Sequence, residues 1–255
     1  MNILITGSEG FIGTHLMKHL IDNRYNIKGI DRKSGKEVLD ITSKDLLNID
    51  IVIHLAAQTS VWNPNIELVV NDNINSFIHI YQLCKQHDIR LIYTSSSCSI
   101  NETSVYGLTK RFDDDFIKMY GGNVVGLRLH NVYGRNPRED TLFGKCMNND
   151  EITLFNNGEN KRHFTYVEDV CESITNSINI EPGLYNVYNP IENSTMEFVE
   201  EVSKYKSINI IKSPQIRSRD KESQIVDINI PNIITKPTSI ESGLKQIFIS
   251  NTTSH

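Results

Sequence analysis

A glycine-rich turn near the start of the chain limits what it can fold into more than any other feature. Gly7-Ser-Glu-Gly10-Phe-Ile-Gly13 follows an apolar, strand-like run, Asn2–Thr6, and opens an amphipathic helical one, Phe11–Asp22. A strand that passes through such a turn directly into a helix begins a βαβ unit. Gly7 permits the tight turn, Gly10 lets the backbone approach a pyrophosphate, and Gly13 allows close packing of helix on strand. The helix start, with Phe11 and Ile12 in its first turn, offers N–H groups and a positive dipole end to phosphate oxygens. Asp31 closes the second strand-like run, Asn26–Ile30, about 20 residues further on. A carboxylate there accepts hydrogen bonds from the adenosine ribose and repels a 2′-phosphate, which favours NAD over NADP. Arg32 and Lys33 follow it and weaken that preference, and Arg32 is counted among the cofactor contacts. Asp40 and Ile41 are placed to reach the adenine edge.

The alternation begun there continues. Strands are expected at Ile49–Leu55, Arg90–Ser95 and Val124–Leu129, with helices over Ile66–His87 and Val105–Tyr120. Strands separated by helices at this spacing form right-handed crossovers and a parallel sheet, and their apolar runs suit a sheet covered on both faces. The predicted fold class is α/β, a Rossmann doubly wound parallel sheet. After Tyr133 the rhythm breaks into shorter elements with Gly, Pro and Asn between them. The expected division is a dinucleotide-binding domain over 1–135, then a small substrate-binding lobe over 136–255 that returns elements to the first part.

The chain has 255 residues, 38% hydrophobic and 22% charged, with a net charge of -5. That is an ordinary globular composition, and no basic block points to nucleic acid. No apolar run approaches the roughly 20 residues of a membrane span, and the N-terminus lacks the pattern of a signal peptide, so a cytoplasmic location is expected. The 4 cysteines and 8 histidines lie scattered, without metal-ligand or redox spacing, and no metal site is expected.

A second constellation lies further along. Tyr106-Gly-Leu-Thr-Lys110 places a phenol and an ammonium four residues apart, on one face of a helix. A phenol titrates near 10, but a neighbouring ammonium favours phenolate and brings proton transfer within reach. Thr94-Ser-Ser-Ser97 ends the fourth strand, at the carboxyl edge where parallel sheets bind ligands. A serine there can hydrogen-bond the oxygen that the phenol deprotonates.

These motifs stand in one order with others: His54-Leu-Ala-Ala-Gln58, Asn73, Leu127-Arg-Leu-His-Asn131-Val-Tyr-Gly134 and Arg162-His-Phe-Thr-Tyr-Val-Glu-Asp169. The whole resembles the extended short-chain dehydrogenase/reductases, in particular the NAD-dependent epimerase/dehydratase group acting on nucleotide sugars. The resemblance implies that Ser96, Tyr106 and Lys110 are catalytic, with Ser97 the other choice of serine register and a substrate contact. It implies that Leu55, Ala56, Ala57 and Asn73 line the cofactor channel. Asn131, Arg162 and Arg217 would hold the nucleotide diphosphate of a UDP-sugar, Arg by bidentate recognition. It further implies a homodimer through the helices Ile66–His87 and Val105–Tyr120, with Ile78 and Phe116 either on the shared face or turned to the sheet.

Two departures bear on the reaction. Ser96 and Tyr106 lie only ten positions apart, where the family has about twice that spacing, so the piece that usually covers the sugar is missing. The 4,6-dehydratases of the family carry an Asp-Glu pair just after the catalytic Ser or Thr, whereas Ser97 and Cys98 stand here, so dehydration is not expected. The expected function is C4 epimerisation of a nucleotide hexose through a transient 4-keto sugar. The alternatives are a 4-keto-sugar reductase and, from another class, a non-catalytic NAD-binding scaffold.

Overall fold

The computed structural model describes residues 1–101, 103–217 and 225–249. The chain divides into two compact units: Met1–Leu129 with Cys171–Asn186 and Val226–Ile233, and His130–Val170 with Val187–Ile225 and Ile234–His255. The first unit therefore ends at Leu129, six residues before the expected boundary, and takes back two later segments.

The first unit is built on a sheet whose early strands are β1 (Asn2–Thr6), β2 (Asn26–Ile30), β3 (Ile51–His54), β4 (Arg90–Ser96) and β5 (Val124–Leu129). With a later strand, β10 (Gly183–Val187), the order is β10-β5-β4-β3-β1-β2, and β1 to β5 pair in parallel. The connecting helices are α1 (Phe11–Asp22), α2 (Ile66–Val70), α3 (Ser76–Gln86) and α4 (Val105–Tyr120). The strand order reverses between β1 and β3, which flank the switch point as in doubly wound folds. β3 and β5 are buried along their whole length, whereas β2, at the sheet edge, buries only Ile30. On one side of the sheet, Leu4, Val52, Leu91 and Val124 pack with Phe77, Ile80 and Tyr81 of α3.

The long helix expected over Ile66–His87 is interrupted. A π-turn over Asn71–Asn75 separates α2 from α3. Its residues, Asn-Asp-Asn-Ile-Asn, are weak helix formers whose side chains favour bonds outside the helix. Such bulges concentrate at functional sites.

Phe116 is half-buried. It stacks edge-on against Phe77 and Tyr81 and packs on the core. Ile78 is half-buried. The large apolar side chains that α4 does expose are Leu108, Met119 and Tyr120.

The second unit holds β6 (Val132–Tyr133), α5 (Leu142–Asn148), β7 (Glu151–Leu154), β8 (Lys161–Arg162) and β9 (Thr165–Tyr166). After α6 (Val167–Asn176), it continues with β11 (Asn193–Ser194), α7 (Thr195–Ser203), β12 (Asn209–Lys212) and α8 (Ile240–Ile249). Its strands pair as three two-stranded ladders. Its core is aromatic: Phe164 stacks on Phe198 at 4.0 Å, and Tyr133 meets Phe143, Tyr166 and Phe198. A reciprocal capping box, Ser194 with Glu197, starts α7, which satisfies two donors that a helix start leaves unpaired. Among the described residues no helix is long and apolar enough to cross a membrane.

Candidate active site

The glycine turn is where β1, β3 and α1 converge. Gly7 adopts φ +72°, and a Cβ there would stand 2.7 Å from the Ala56 amide nitrogen. A Cβ on Gly13 would stand 2.1 Å from the Gly7 carbonyl oxygen. Both neighbours are backbone, so no side chain fits at either position. The Leu55 amide donates to the Thr6 carbonyl at 3.1 Å and the Ala56 amide to Thr6 Oγ1 at 3.4 Å. Ala57 follows, half-buried. Gly10 caps α1 without a side chain, and the first turn of α1, with half-buried Phe11 and Ile12, carries no acidic residue. That end is therefore suited to an anion.

Asp31 accepts from the backbone amides of Glu9 and Lys33, both at 3.0 Å, and so joins the end of β2 to the glycine turn. The basic residues beside it are otherwise engaged. Arg32 pairs with Asp72 at 2.7 Å and Glu37 at 3.0 Å, and Lys33 Nζ donates to the Glu9 carbonyl. Arg32 therefore sits in an acidic pair of its own rather than offering a bare charge to the cofactor. Asp40 is exposed and accepts from the Glu37 amide. Ile41 does not face the site: its side chain is buried in the core, its amide donates to Val38 O, and its carbonyl meets His79 Nε2 at 2.7 Å. Sheet packing claims an apolar side chain here over ligand contact.

Asn73 is also drawn inward. It lies in the π-turn, accepts from the Gln58 amide at 2.7 Å, and donates to the Gln58 carbonyl and to Thr109 Oγ1 at 3.0 and 2.9 Å. Its amide thereby clamps the segment after β3 to α4, one residue before Lys110. Asp72 reinforces the clamp, accepting from Gln58 Nε2 at 2.8 Å.

Ser96 ends β4 and caps a short 3-10 turn, Ser97–Ser99, by accepting from the Cys98 amide at 3.1 Å. That role uses an oxygen lone pair and leaves the hydroxyl proton for a partner. Ser97 is buried and Cys98 half-buried. Ser104 then caps α4, accepting from the Gly107 amide at 3.1 Å. A Cβ on Gly107 would stand 2.7 Å from the Cys98 carbonyl oxygen. The turn that holds Ser96 therefore lies directly against the helix residue after Tyr106, and the short connection makes that contact.

Lys110 is buried, with its ammonium 3.1 Å from Asp113 Oδ2 and side-chain exposures of 4% and 0%. Burial alone would lower the lysine, but the charges of Asp113, Tyr106 and Asp114 outweigh it and hold the ammonium above its ordinary value. Burial pushes the Asp113 carboxyl up to about 7, against the pull of Lys110. Burial, with the Lys110 charge, pushes the His54 imidazole down to about 3, so it is neutral, with Nδ1 2.7 Å from Thr6 Oγ1. The neighbouring carboxylate, Asp114, is fully engaged: it accepts from Tyr93 at 3.0 Å, Ser99 at 2.9 Å and Arg128 at 2.8 Å. None of Asp72, Thr109, Asp113 and Asp114 stands out in the sequence. The available signal was the spacing of Asp113 and Asp114, three and four residues past Lys110 and hence on its face of the helix.

The remaining expected substrate residues lie in the second unit. Asn131 is exposed at φ 23°, and its carbonyl accepts from the Thr165 amide. Arg162 is half-buried in β8 and donates to the Lys161 carbonyl. Arg217 lies 4.5 Å over the Phe155 ring.

The match to known proteins follows this geometry. Residues 3–187 match the family described as NAD dependent epimerase/dehydratase. The chain belongs to that family. A relative, the putative UDP-glucose 4-epimerase of Methanocaldococcus jannaschii, is 29% identical over 244 residues, covering 78% of this chain and 80% of its own. The UDP-glucuronic acid 4-epimerase of Bacillus cereus, solved with UDP-glucuronic acid and NAD, superposes with a TM-score of 0.82 at 25% identity and covers both chains fully. TunA, an NAD-dependent NDP-hexosamine 5,6-dehydratase, shares the fold with a TM-score of 0.85 at 21% identity, over 100% of this chain and 98% of its own. As a member of an NAD-dependent epimerase/dehydratase family, the chain is an enzyme of nucleotide-sugar chemistry. The glycine turn and Asp31 fit the dinucleotide that the family uses, since any side chain at Gly7 or Gly13 would collide with backbone.

Proposed function

We propose that the chain is an epimerase that inverts C4 of a nucleotide hexose, a UDP-sugar, through a transient 4-keto sugar. The observation that carries this reading is the packing of the Ser96 turn against Gly107, the residue after Tyr106, on the helix that also carries the buried Lys110. Tyr106 takes the proton of the sugar 4-hydroxyl as general base and returns it as general acid. Lys110 stabilises the phenolate, because an ammonium in a dry site acts with little screening. Ser96, with its lone pair given to the Cys98 amide, donates its proton to the same sugar oxygen. A bound NAD would supply the acceptor for the C4 hydride and its return to the other face of the ring. Asp31, Gly7, Gly10 and Gly13 would hold it. In the second unit, Arg162 and Arg217 are the candidates for the diphosphate, joined by Asn131.

The names of the M. jannaschii and B. cereus proteins support C4 inversion. The turn after Ser96 speaks against 4,6-dehydration, because Ser97, Cys98 and Ser99 carry no carboxylate to expel water from C5 and C6. The engagement of Arg32 by Asp72 and Glu37 supports NAD over NADP, and with it a cofactor that remains bound through a redox-neutral cycle. Mass spectrometry of the nucleotide released on denaturing the purified protein tests this. About one NAD(H) per chain is expected. An empty site that prefers NADPH on titration would instead support a 4-ketoreductase. Tyr106→Phe should retain NAD and lose turnover by at least about a hundredfold, the usual contribution of a general base.

A further inference from the structure

Asp113 occupies an unusual position for a carboxylate. It is wholly buried, and its one partner among the described residues is Lys110, 3.1 Å from Oδ2, while Oδ1 has none. Asp114, next to it, has three donors from β4, the following turn and β5. The contrast separates their roles. Asp114 ties α4 to the sheet, whereas the one polar partner of Asp113 among the described residues is the lysine that serves Tyr106. An ammonium with a carboxylate on one side projects less positive potential to the other.

We infer that Asp113 is a positioning residue that sets the acidity of Tyr106, by holding the Lys110 ammonium and cancelling part of its charge. The inference rests on the proposed role of Tyr106 as acid and base. When Asp113 is ionised, the pair is neutral and Lys110 favours phenolate weakly. When Asp113 is protonated, Lys110 acts with its full charge. Burial places the Asp113 transition near neutrality, so the switch lies within the working range of an enzyme. The groups that surround the pair do not reproduce it. His54 on β3 is neutral there, Tyr93 on β4 is held protonated by burial and Asp114, and Arg128 on β5 is spent on Asp114 and Asp227. Tyr106 and Asp114 complete the set on α4 itself.

The test reads Tyr106 directly and needs no sugar substrate, so it stands apart from the identity of the reaction. Protein labelled with ¹³Cζ-tyrosine is saturated with NAD and titrated by NMR, with Tyr106→Phe assigning the resonance. In Asp113→Asn, which keeps the shape and removes the charge, the Tyr106 transition should fall by about one pH unit, the usual effect of one nearby charge. An unchanged or raised transition would overturn the inference. Should Asp113→Asn not fold, the wild-type protein still decides it. Labelled aspartate and Tyr106 Cζ must then show a common inflection, and independent titrations would reject the coupling. Where turnover is measurable, with UDP-glucose as probe, the acid limb of kcat should move in the same direction as the NMR transition. Loss of activity with the limb unmoved would mean that Asp113 is merely structural.

Discussion

Replacing Gly13 by alanine adds one methyl group where the structure has no room for it. The new Cβ would lie 2.1 Å from the Gly7 carbonyl oxygen and 2.9 Å from Ser8 Cα and C. All three are backbone atoms, so the strain cannot be relieved by turning a side chain. Reaching ordinary contact at 3.4 Å requires α1 to retreat from the β1 turn by more than an ångström. Overpacking of this kind costs about 1–3 kcal/mol. Alanine's better helix propensity returns about 0.5–1 kcal/mol, leaving a net loss of up to roughly 2.5 kcal/mol. For a chain of this size that corresponds to a fall in melting temperature of up to roughly 10 °C. The same retreat moves the amide groups that face the pyrophosphate, so NAD affinity should drop at least about tenfold, or 1.4 kcal/mol. Differential scanning fluorimetry and isothermal titration with NAD measure the two effects. Gly121→Ala is the control. Its φ is +60° and ψ -154°, with nothing within 4 Å, so it should cost about 1–3 kcal/mol of backbone strain and leave NAD affinity alone. A Gly13→Ala protein that melts at or above the wild type and binds NAD equally well would refute the packing argument.

Other outcomes follow from the buried charges and exposed faces. Asp114→Asn strips Arg128 of its buried partner and leaves it only Asp227 at 3.3 Å; a loss of about 3 kcal/mol is expected from breaking a buried ion pair, readable as a lower denaturation midpoint. The His54 pKa falls from 6.5 to about 3 on folding. The unfolded chain therefore binds a proton there that the folded chain refuses. The stability it contributes is complete above pH 6.5 and is lost as pH falls through 6.5 toward 3, at up to about 1.4 kcal/mol per unit. His54→Asn should flatten that acid-side fall in melting temperature, and an equally steep fall would contradict it. Homodimerisation is expected through the exposed stripe of α4, where Leu108 and Met119 lie three turns apart on one face. Sedimentation equilibrium should give twice the 29.1 kDa chain mass, and Leu108→Glu with Met119→Glu should halve it.

The glycine turn and the five early strands were legible because each rests on local rules. A βα turn needs glycine at fixed places, and a strand covered on both faces must be apolar. Asn2–Thr6, Phe11–Asp22, Asn26–Ile30, Val105–Tyr120 and Val124–Leu129 take the expected bounds. The third strand is shorter than expected, since Ile49 and Asp50 precede the ladder and Leu55 follows it. Tertiary bonding was not legible. The π-turn exists because Asp72 and Asn73 bond Arg32, Gln58 and Thr109, partners that no helical periodicity reveals. Asp113-Asp114-Asp115 reads as a solvated run, yet only Asp115 is exposed. Ile41 shows the opposite failure, an apolar residue assigned to a ligand whose side chain the core claims instead, and half-buried Phe116 settles the open choice toward the core on the side that meets Phe77 and Tyr81. Arg217 lies at the edge of the described residues, and the residues directly after it lie outside them.

The central claim is redox-neutral inversion at C4, and proton NMR of UDP-hexoses incubated with the NAD-loaded protein in D₂O tests it most directly. The account predicts a C4-inverted sugar without added reductant and without deuterium at C4, because the hydride returns to the carbon it left. A panel of UDP-hexoses that yields only dehydrated keto sugars, or a product formed only with stoichiometric NAD(P)H, would contradict it.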